Sequence, residues 1–152
     1  MLDSSNVIQL LSDHEEAIGN LYGEYAKVFQ DQRDFWTQFS KEEFQHAEWV
    51  RSLQALLEKG EVIFSERFHE AAIQTSLKFI SKQIERAKGG SVTLIEALSV
   101  SLSIETSLLE KKFFDVFTGD SIKVQKIKRS LVDETKRHRK AMQEAWDRNR
   151  AI

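Results

Sequence analysis

The stretch that decides the fold is FWTQFSKEEFQHAEWV, residues 35–50. At about 100° of rotation per residue, its apolar side chains share one face of a helix, and this face continues to Leu57. Glu43 and His46 lie near the centre of that face. A charge at such a position costs on the order of several kcal/mol unless something pairs with it. The stretch therefore predicts a helix that carries a buried polar site.

Three other predicted helices also place polar residues on an apolar face. In an antiparallel hairpin, residues at equal distances from the turn face each other. Turns near residue 30 and near residue 119 would therefore bring these polar residues to matching levels. We expect six side chains to meet in the core: Glu15, Glu43, His46, Glu105, Glu134 and His138.

The break points of the chain predict its organisation. Proline is absent and the chain has only 6 glycines, so few helices are interrupted. The first helix is predicted from Ser4 or Ser5 to about residue 29. A polar break at Asp31–Asp34 precedes the second helix, which ends near Gly60. The remaining helices are predicted over about 66–88, from Ser91 or Thr93 to about 117, and from about 121 onward. The expected fold is all-α: a single domain, residues 1–152, formed by a four-helix bundle. Two antiparallel hairpins are joined by a crossover at about residues 60–90 that contains a shorter helix.

The amino-acid composition excludes several kinds of site and of binding partner. The chain has no cysteine, which excludes disulfides and iron–sulfur clusters. The net charge is −2, and the lysine- and arginine-rich segment 123–150 also contains acidic residues, so nucleic-acid binding is not expected. Neither a signal peptide nor a membrane span is visible, and a cytoplasmic location is expected.

The six core residues suggest a metal site. Taken alone, a glutamate on an apolar face usually reaches water at its edge, and a lone histidine is usually a hydrogen-bonded core residue. Four inward glutamates, however, would repel one another or need protonation. Four carboxylates and two imidazoles suit two divalent ions: iron is expected, manganese would fit, and zinc is less suitable.

With these residues, the chain resembles the ferritin-like superfamily, and within it the rubrerythrin-like branch. The most specific part is Glu42-Glu43-Phe44-Gln45-His46-Ala47 in the second helix. The resemblance covers nearly the whole chain. Its other carrying residues are Glu15 with Tyr22 and Ala26, Glu96-Ala97-Leu98 leading to Glu105, and Asp133-Glu134 with His138.

The resemblance implies a carboxylate-bridged di-iron centre that reacts with peroxide or oxygen, or that oxidises ferrous iron. Three departures from the family pattern are present. The last motif has His138 four residues after Glu134, with Arg137 at the usual histidine position, and a π-bulge between them would restore the geometry. Leu108 stands where rubrerythrins have a second glutamate. The cysteine-rich rubredoxin domain is missing, so an external electron donor is implied.

Three functions remain open at this point. The first is a di-iron oxidoreductase that reduces peroxide or oxygen. The second is an iron-handling protein that oxidises ferrous iron for storage and needs an assembly with a cavity. The third is a non-catalytic bundle whose metal site is structural or decayed, and the displaced His138 is its main support.

Several residues near the site have two interpretations. Tyr22 and Tyr25 would either pack in the core or donate hydrogen bonds to a ligand. His14 and His69 are expected at the surface or at its boundary, and Trp49 lies beside the apolar face, where it would pack on the crossover helix or on a second subunit.

A strip of small residues on the first helix would let another helix approach closely. A homodimer interface and the crossover helix are equally good explanations for this strip. It consists of Ser12, Gly19 and Gly23.

Overall fold

The structure is a computed structural model that describes residues 3–65 and 70–150. It is predominantly helical, as expected. Its α-helices are α1 (Ser4–Val28), α2 (Arg33–Arg51), α3 (Leu53–Glu58), α4 (Glu70–Lys88), α5 (Leu94–Glu110) and α6 (Ile122–Arg150). Short 3-10 helices at Gln30–Gln32 and Phe113–Val116 join α1 to α2 and follow α5.

The helix boundaries follow from local signals. Asp3 caps α1 by accepting a hydrogen bond from the backbone N–H of Ser5 at 3.0 Å. The predicted stop at Gly89-Gly90 is confirmed: α4 ends at Lys88, and Gly90 has a φ of +73°, which favours glycine. Thr93 then caps α5, because its hydroxyl oxygen accepts a hydrogen bond from the backbone N–H of Glu96. Of the predicted third helix, residues 66–69 lie outside the described part of the chain.

The segment after α5 differs from the prediction of a helix that continues to about residue 117. The helix ends at Glu110, and strand β2 (Phe117–Thr118) pairs antiparallel with β1 (Ile63–Phe64). Only glycine fits at position 119, because a Cβ there would lie 2.3 Å from the carbonyl oxygen of Glu61. This close approach ties the connection before α6 to the one after α3.

Helix α1 packs against both α2 and α4, α5 packs against α6, and α2 contacts α6. The contacts between Glu15 and His46 and between Tyr25 and Trp36 show that α1 and α2 run antiparallel. The contacts of Glu105 with His138 and of Ser99 with Trp146 show the same for α5 and α6. The core therefore has polar residues at one level and an aromatic cluster around Trp36 at another.

At two of its three positions, Gly19 and Gly23, the strip of small residues on α1 lies against α2. Phe44 of α2 lies over Gly19, 3.1 Å from where a Cβ would be, and the Ser40 hydroxyl donates a 2.7 Å hydrogen bond to the Gly19 carbonyl oxygen. Ser40 also lies closest to Gly23. The two glycines therefore let α2 approach α1, and the neighbour is not the crossover helix α4.

No helix in the described part of the chain combines the length and the apolar character that crossing a membrane requires.

Candidate metal centre

Five of the six predicted side chains converge between the two hairpins. Each is at most 1% exposed, so their charged groups are removed from water. They come from four helices: Glu15 from α1, Glu43 and His46 from α2, Glu105 from α5, and His138 from α6.

These side chains form a continuous chain of contacts. His46 Nδ1 lies 3.6 Å from Glu15 Oε2 and 3.4 Å from Glu43 Oε2. His138 Nδ1 lies 2.8 Å from Glu43 Oε1 and 3.4 Å from Glu105 Oε1. The two imidazole rings are stacked, with centroids 5.2 Å apart. Glu43 is therefore the central carboxylate, because it contacts both histidines.

The sixth residue, Glu134, is not part of this cluster, and its predicted inward position is wrong. Its side chain is 29% exposed and accepts a 2.7 Å hydrogen bond from Arg137 Nε. The inward position belongs to Thr135, which is 1% exposed and whose hydroxyl donates to the Leu131 carbonyl oxygen at 2.7 Å. Threonine can be buried here because its own helix satisfies its hydroxyl.

The suggested π-bulge is also wrong, since α6 is α-helical throughout Ile122–Arg150. The buried residues Leu131, Thr135, His138 and Met142 follow one another at alternating steps of four and three residues, which a regular helix places on one face. His138 thus reaches the cluster without a bulge. The four-residue spacing from Glu134 to His138 places the glutamate, and not the histidine, outside the cluster.

Glu42 is a site residue that the sequence interpretation missed. Its Oε1 lies 2.8 Å from His138 Nε2 and also pairs with the guanidinium of Arg137. A histidine whose outer nitrogen donates to a carboxylate has a fixed tautomer and ring orientation, and it turns its other nitrogen toward the centre. The available signal was that a ligand histidine needs such a partner and that Glu42 is adjacent to Glu43.

Tyr22 supplies a hydrogen bond to the cluster. Its hydroxyl donates to Glu105 Oε1 at 2.8 Å, and the ring lies 5.6 Å from that of Trp36. Burial raises the pKa of Tyr22 well above its usual value, and the charge of Glu105 adds to this effect, so the phenol stays protonated and remains a donor. Tyr22 therefore packs in the core and donates a hydrogen bond to Glu105, a predicted ligand, whereas Tyr25 packs on Trp36 and Phe29.

The electrostatics of the cluster favour bound protons. Burial and the adjacent Glu43 raise the pKa of Glu15 to about 8. Burial alone would lower the pKa of both histidines, but the surrounding carboxylates outweigh it. Contacts with Glu15 and Glu43 raise the pKa of His46 to about 10, and contacts with Glu105 and Glu43 raise that of His138 to about 11. At neutral pH these protons balance the buried carboxylates.

Several polar atoms of the cluster nevertheless have no hydrogen-bond partner among the described residues. Such orphaned atoms are rare in protein interiors and need an explanation. They are Glu15 Oε2, Glu43 Oε2, Glu105 Oε2 and both ring nitrogens of His46. The three carboxylate oxygens and one ring nitrogen of neutral His46 can each offer an electron pair, which is what a divalent cation requires. Across the whole cluster, one atom from each of Glu43, His46 and His138 lies within 4.8 Å of the others, so these three could hold one metal ion.

His14 was expected at the surface or its boundary, but it is buried at 2% exposure. Its Nε2 lies 2.8 Å from Ser76 Oγ of α4. Burial lowers its pKa to about 4, against a smaller opposite effect of Glu15, so His14 is neutral and anchors the crossover helix to α1. The other histidine of the crossover, His69, lies outside the described residues.

The indole of Trp49 stacks on the imidazole of His46, with ring centroids 5.2 Å apart. The predicted packing of Trp49 on the crossover helix or on a second subunit stays a prediction. The half-buried indole also lines a groove between α3 and α6. It thus separates His46 from the surface.

No protein-family model, curated protein or solved structure matches this chain.

Proposed function

We propose that this chain is a ferritin-like, rubrerythrin-type metalloprotein that binds two iron ions between its hairpins and reduces peroxide or oxygen. The observation that carries the proposal is the set of buried, unpartnered ligand atoms on α1, α2 and α5, next to which His138 of α6 lies. Glu-x-x-His pairs and single glutamates from facing helices are the ligand units of di-iron bundles. Here three carboxylates and two imidazoles would bind the ions.

Each residue has a defined task in this proposal. Glu43 contacts both histidines and would be the central carboxylate ligand, while Glu15 and Glu105 would provide ligand oxygens from opposite hairpins. His46 and His138 would each provide one nitrogen. Iron bound in this way supplies the redox chemistry, with electrons from an external donor.

The surrounding residues orient the ligands and exclude water. Glu42 fixes the ring of His138, and Tyr22 fixes the carboxylate of Glu105. Phe39 contacts His138 edge to face with centroids 4.7 Å apart, and Trp36 is fully buried beside Tyr22. A dry, preorganised environment strengthens every electrostatic interaction within it.

The proposal is tested by anaerobic titration of the metal-free protein with ferrous iron, with bound iron counted per chain. Two irons are expected in the wild type, followed by oxidation when peroxide is added. The Glu105→Ala variant should lose at least one iron. Retention of two irons by Glu105→Ala would remove this assignment.

A second candidate function is a non-catalytic bundle, and one observation favours it. Both ring nitrogens of His138 already contact carboxylates, so this histidine is satisfied without a metal. The two candidates differ in their response to peroxide: a structural site would bind metal without oxidation of the loaded protein.

A further inference from the structure

A groove between α3 and α6 lies outside the proposed metal centre and has a distinct chemistry. Its volume is about 410 Å³, which is within the range of small-molecule sites. Its apolar lining includes Trp49, Leu56 and Ile127. Ile122, which precedes the groove residue Lys123, is left 83% exposed. A concave surface with an apolar lining and a few polar groups is the usual form of a small-molecule site.

The rim of the groove carries positive charge only. Three lysines line it: Lys59, Lys123 and Lys126. No carboxylate lines the groove, and within residues 3–65 and 70–150 none of these ammonium groups makes an ion pair. The chain as a whole has a net charge of −2, so this concentration of unpaired cations is a local property. It favours a ligand with an anionic group.

The apolar lining and the cationic rim together define the ligand class. We propose that the groove binds a small anionic amphiphile, with its apolar body against Trp49 and Leu56 and its anionic head among the three lysines. Hydroxyls of Ser52 and Ser130 also line the groove and can donate to the head group. Because Trp49 stacks on His46, the bound molecule would be separated from the metal centre by one indole ring.

The binding step does not depend on the metal, so it can be tested apart from the proposed function. The probe is laurate below its micelle concentration, titrated into the metal-free full chain and followed by calorimetry and tryptophan fluorescence. Saturable binding of one laurate per chain is expected. Dodecyltrimethylammonium has the same chain with the opposite charge and should bind at least tenfold more weakly.

Variants identify the site. Lys123→Ala combined with Lys126→Ala should weaken laurate binding at least fivefold, and Ala55→Trp, which fills the groove, should abolish it. The matched control is Lys136→Ala combined with Lys140→Ala, which removes the same charge from another surface of α6 and should leave binding unchanged. No saturable binding, equal binding of the cationic probe, or equal weakening in the control pair would overturn the proposal.

Discussion

The two hairpins have similar sequence patterns but contribute differently to the site. The α1–α2 hairpin buries Glu15, Glu43 and His46, whereas the α5–α6 hairpin buries Glu105 and His138 and leaves Glu134 half-exposed. The difference arises from one residue of spacing between the glutamate and the histidine. A sequence that is nearly symmetric between hairpins therefore gives an asymmetric site, with the central carboxylate on α2.

The largest expected effect tests this asymmetry directly. Glu43→Ala should abolish iron binding, because Glu43 contacts both histidines. Glu134→Ala should retain two irons per chain, because its carboxylate pairs with Arg137 outside the cluster. Both are measured by anaerobic ferrous titration. Loss of an iron in Glu134→Ala would mean that this glutamate turns inward when metal binds.

The next effect concerns the residue that orients His138. Glu42→Gln should weaken metal binding by about 10- to 100-fold, which is typical for the loss of a carboxylate behind a ligand histidine. Glu48→Gln is the control, since Glu48 is exposed on the same helix and pairs only with Arg51 in the described structure. Competition with a chelator gives both affinities. Equal affinities would show that Arg137, rather than His138, is the important partner of Glu42.

A smaller effect is expected from pH. Folding raises the pKa of His46 from 6.5 to about 10 and that of Glu15 from 4.5 to about 8. The raised pKa of His138, about 11, acts in the same direction. The folded metal-free protein therefore holds more protons than the unfolded chain from about pH 7 to above about pH 10, so its free energy of unfolding should fall by several kcal/mol as the pH rises. The lowered pKa of His14 acts only below pH 6.5.

Urea unfolding at pH 7 and pH 9.5 measures this change. Metal-loaded protein should not lose stability in the same way, because bound ions replace the protons. If the metal-free protein were equally stable at both values, the cluster would not hold the protons that its geometry implies.

The smallest effect compares the two tyrosines of α1. Tyr22→Phe removes the donor to Glu105 and should lower the free energy of unfolding by about 1–2 kcal/mol. Tyr25→Phe is the matched control, because the Tyr25 hydroxyl is buried without a hydrogen-bond partner among the described residues. Its loss should be neutral or slightly stabilising. A larger loss in Tyr25→Phe than in Tyr22→Phe would contradict this account.

The sequence was sufficient to predict the helices and most of the polar core. Gly89-Gly90 and Thr93 are local signals that do not depend on packing, and the glutamates of α1, α2 and α5 lie near the centres of their apolar faces. The short strand at Phe117–Thr118 was not predictable in this way, because its pairing with Ile63–Phe64 is made by residues distant in sequence.

The choice between Glu134 and Thr135 shows a second limit. At about 100° per residue, Glu134 lies about 60° to one side of Leu131, and Thr135 lies about 40° to the other. Periodicity alone cannot separate these positions. The Glu134–Arg137 pair, three residues apart, was the one local indication that the glutamate faces outward. The burial of His14 was not predicted for a similar reason, since it depends on the packing of α4 against α1.

The contact between Phe44 and Gly19 bears on which ions the proposed centre would accept. It lets α1 and α2 approach each other one helical turn from Glu15 on α1 and two residues from His46 on α2. Metal–oxygen distances differ between divalent ions by only a few tenths of an ångström, about 2.0–2.1 Å for Mg²⁺ and about 2.3–2.6 Å for Ca²⁺. A glycine that touches no predicted ligand would thus act as a spacer, and the helix packing around it would contribute to ionic-radius discrimination by the proposed centre.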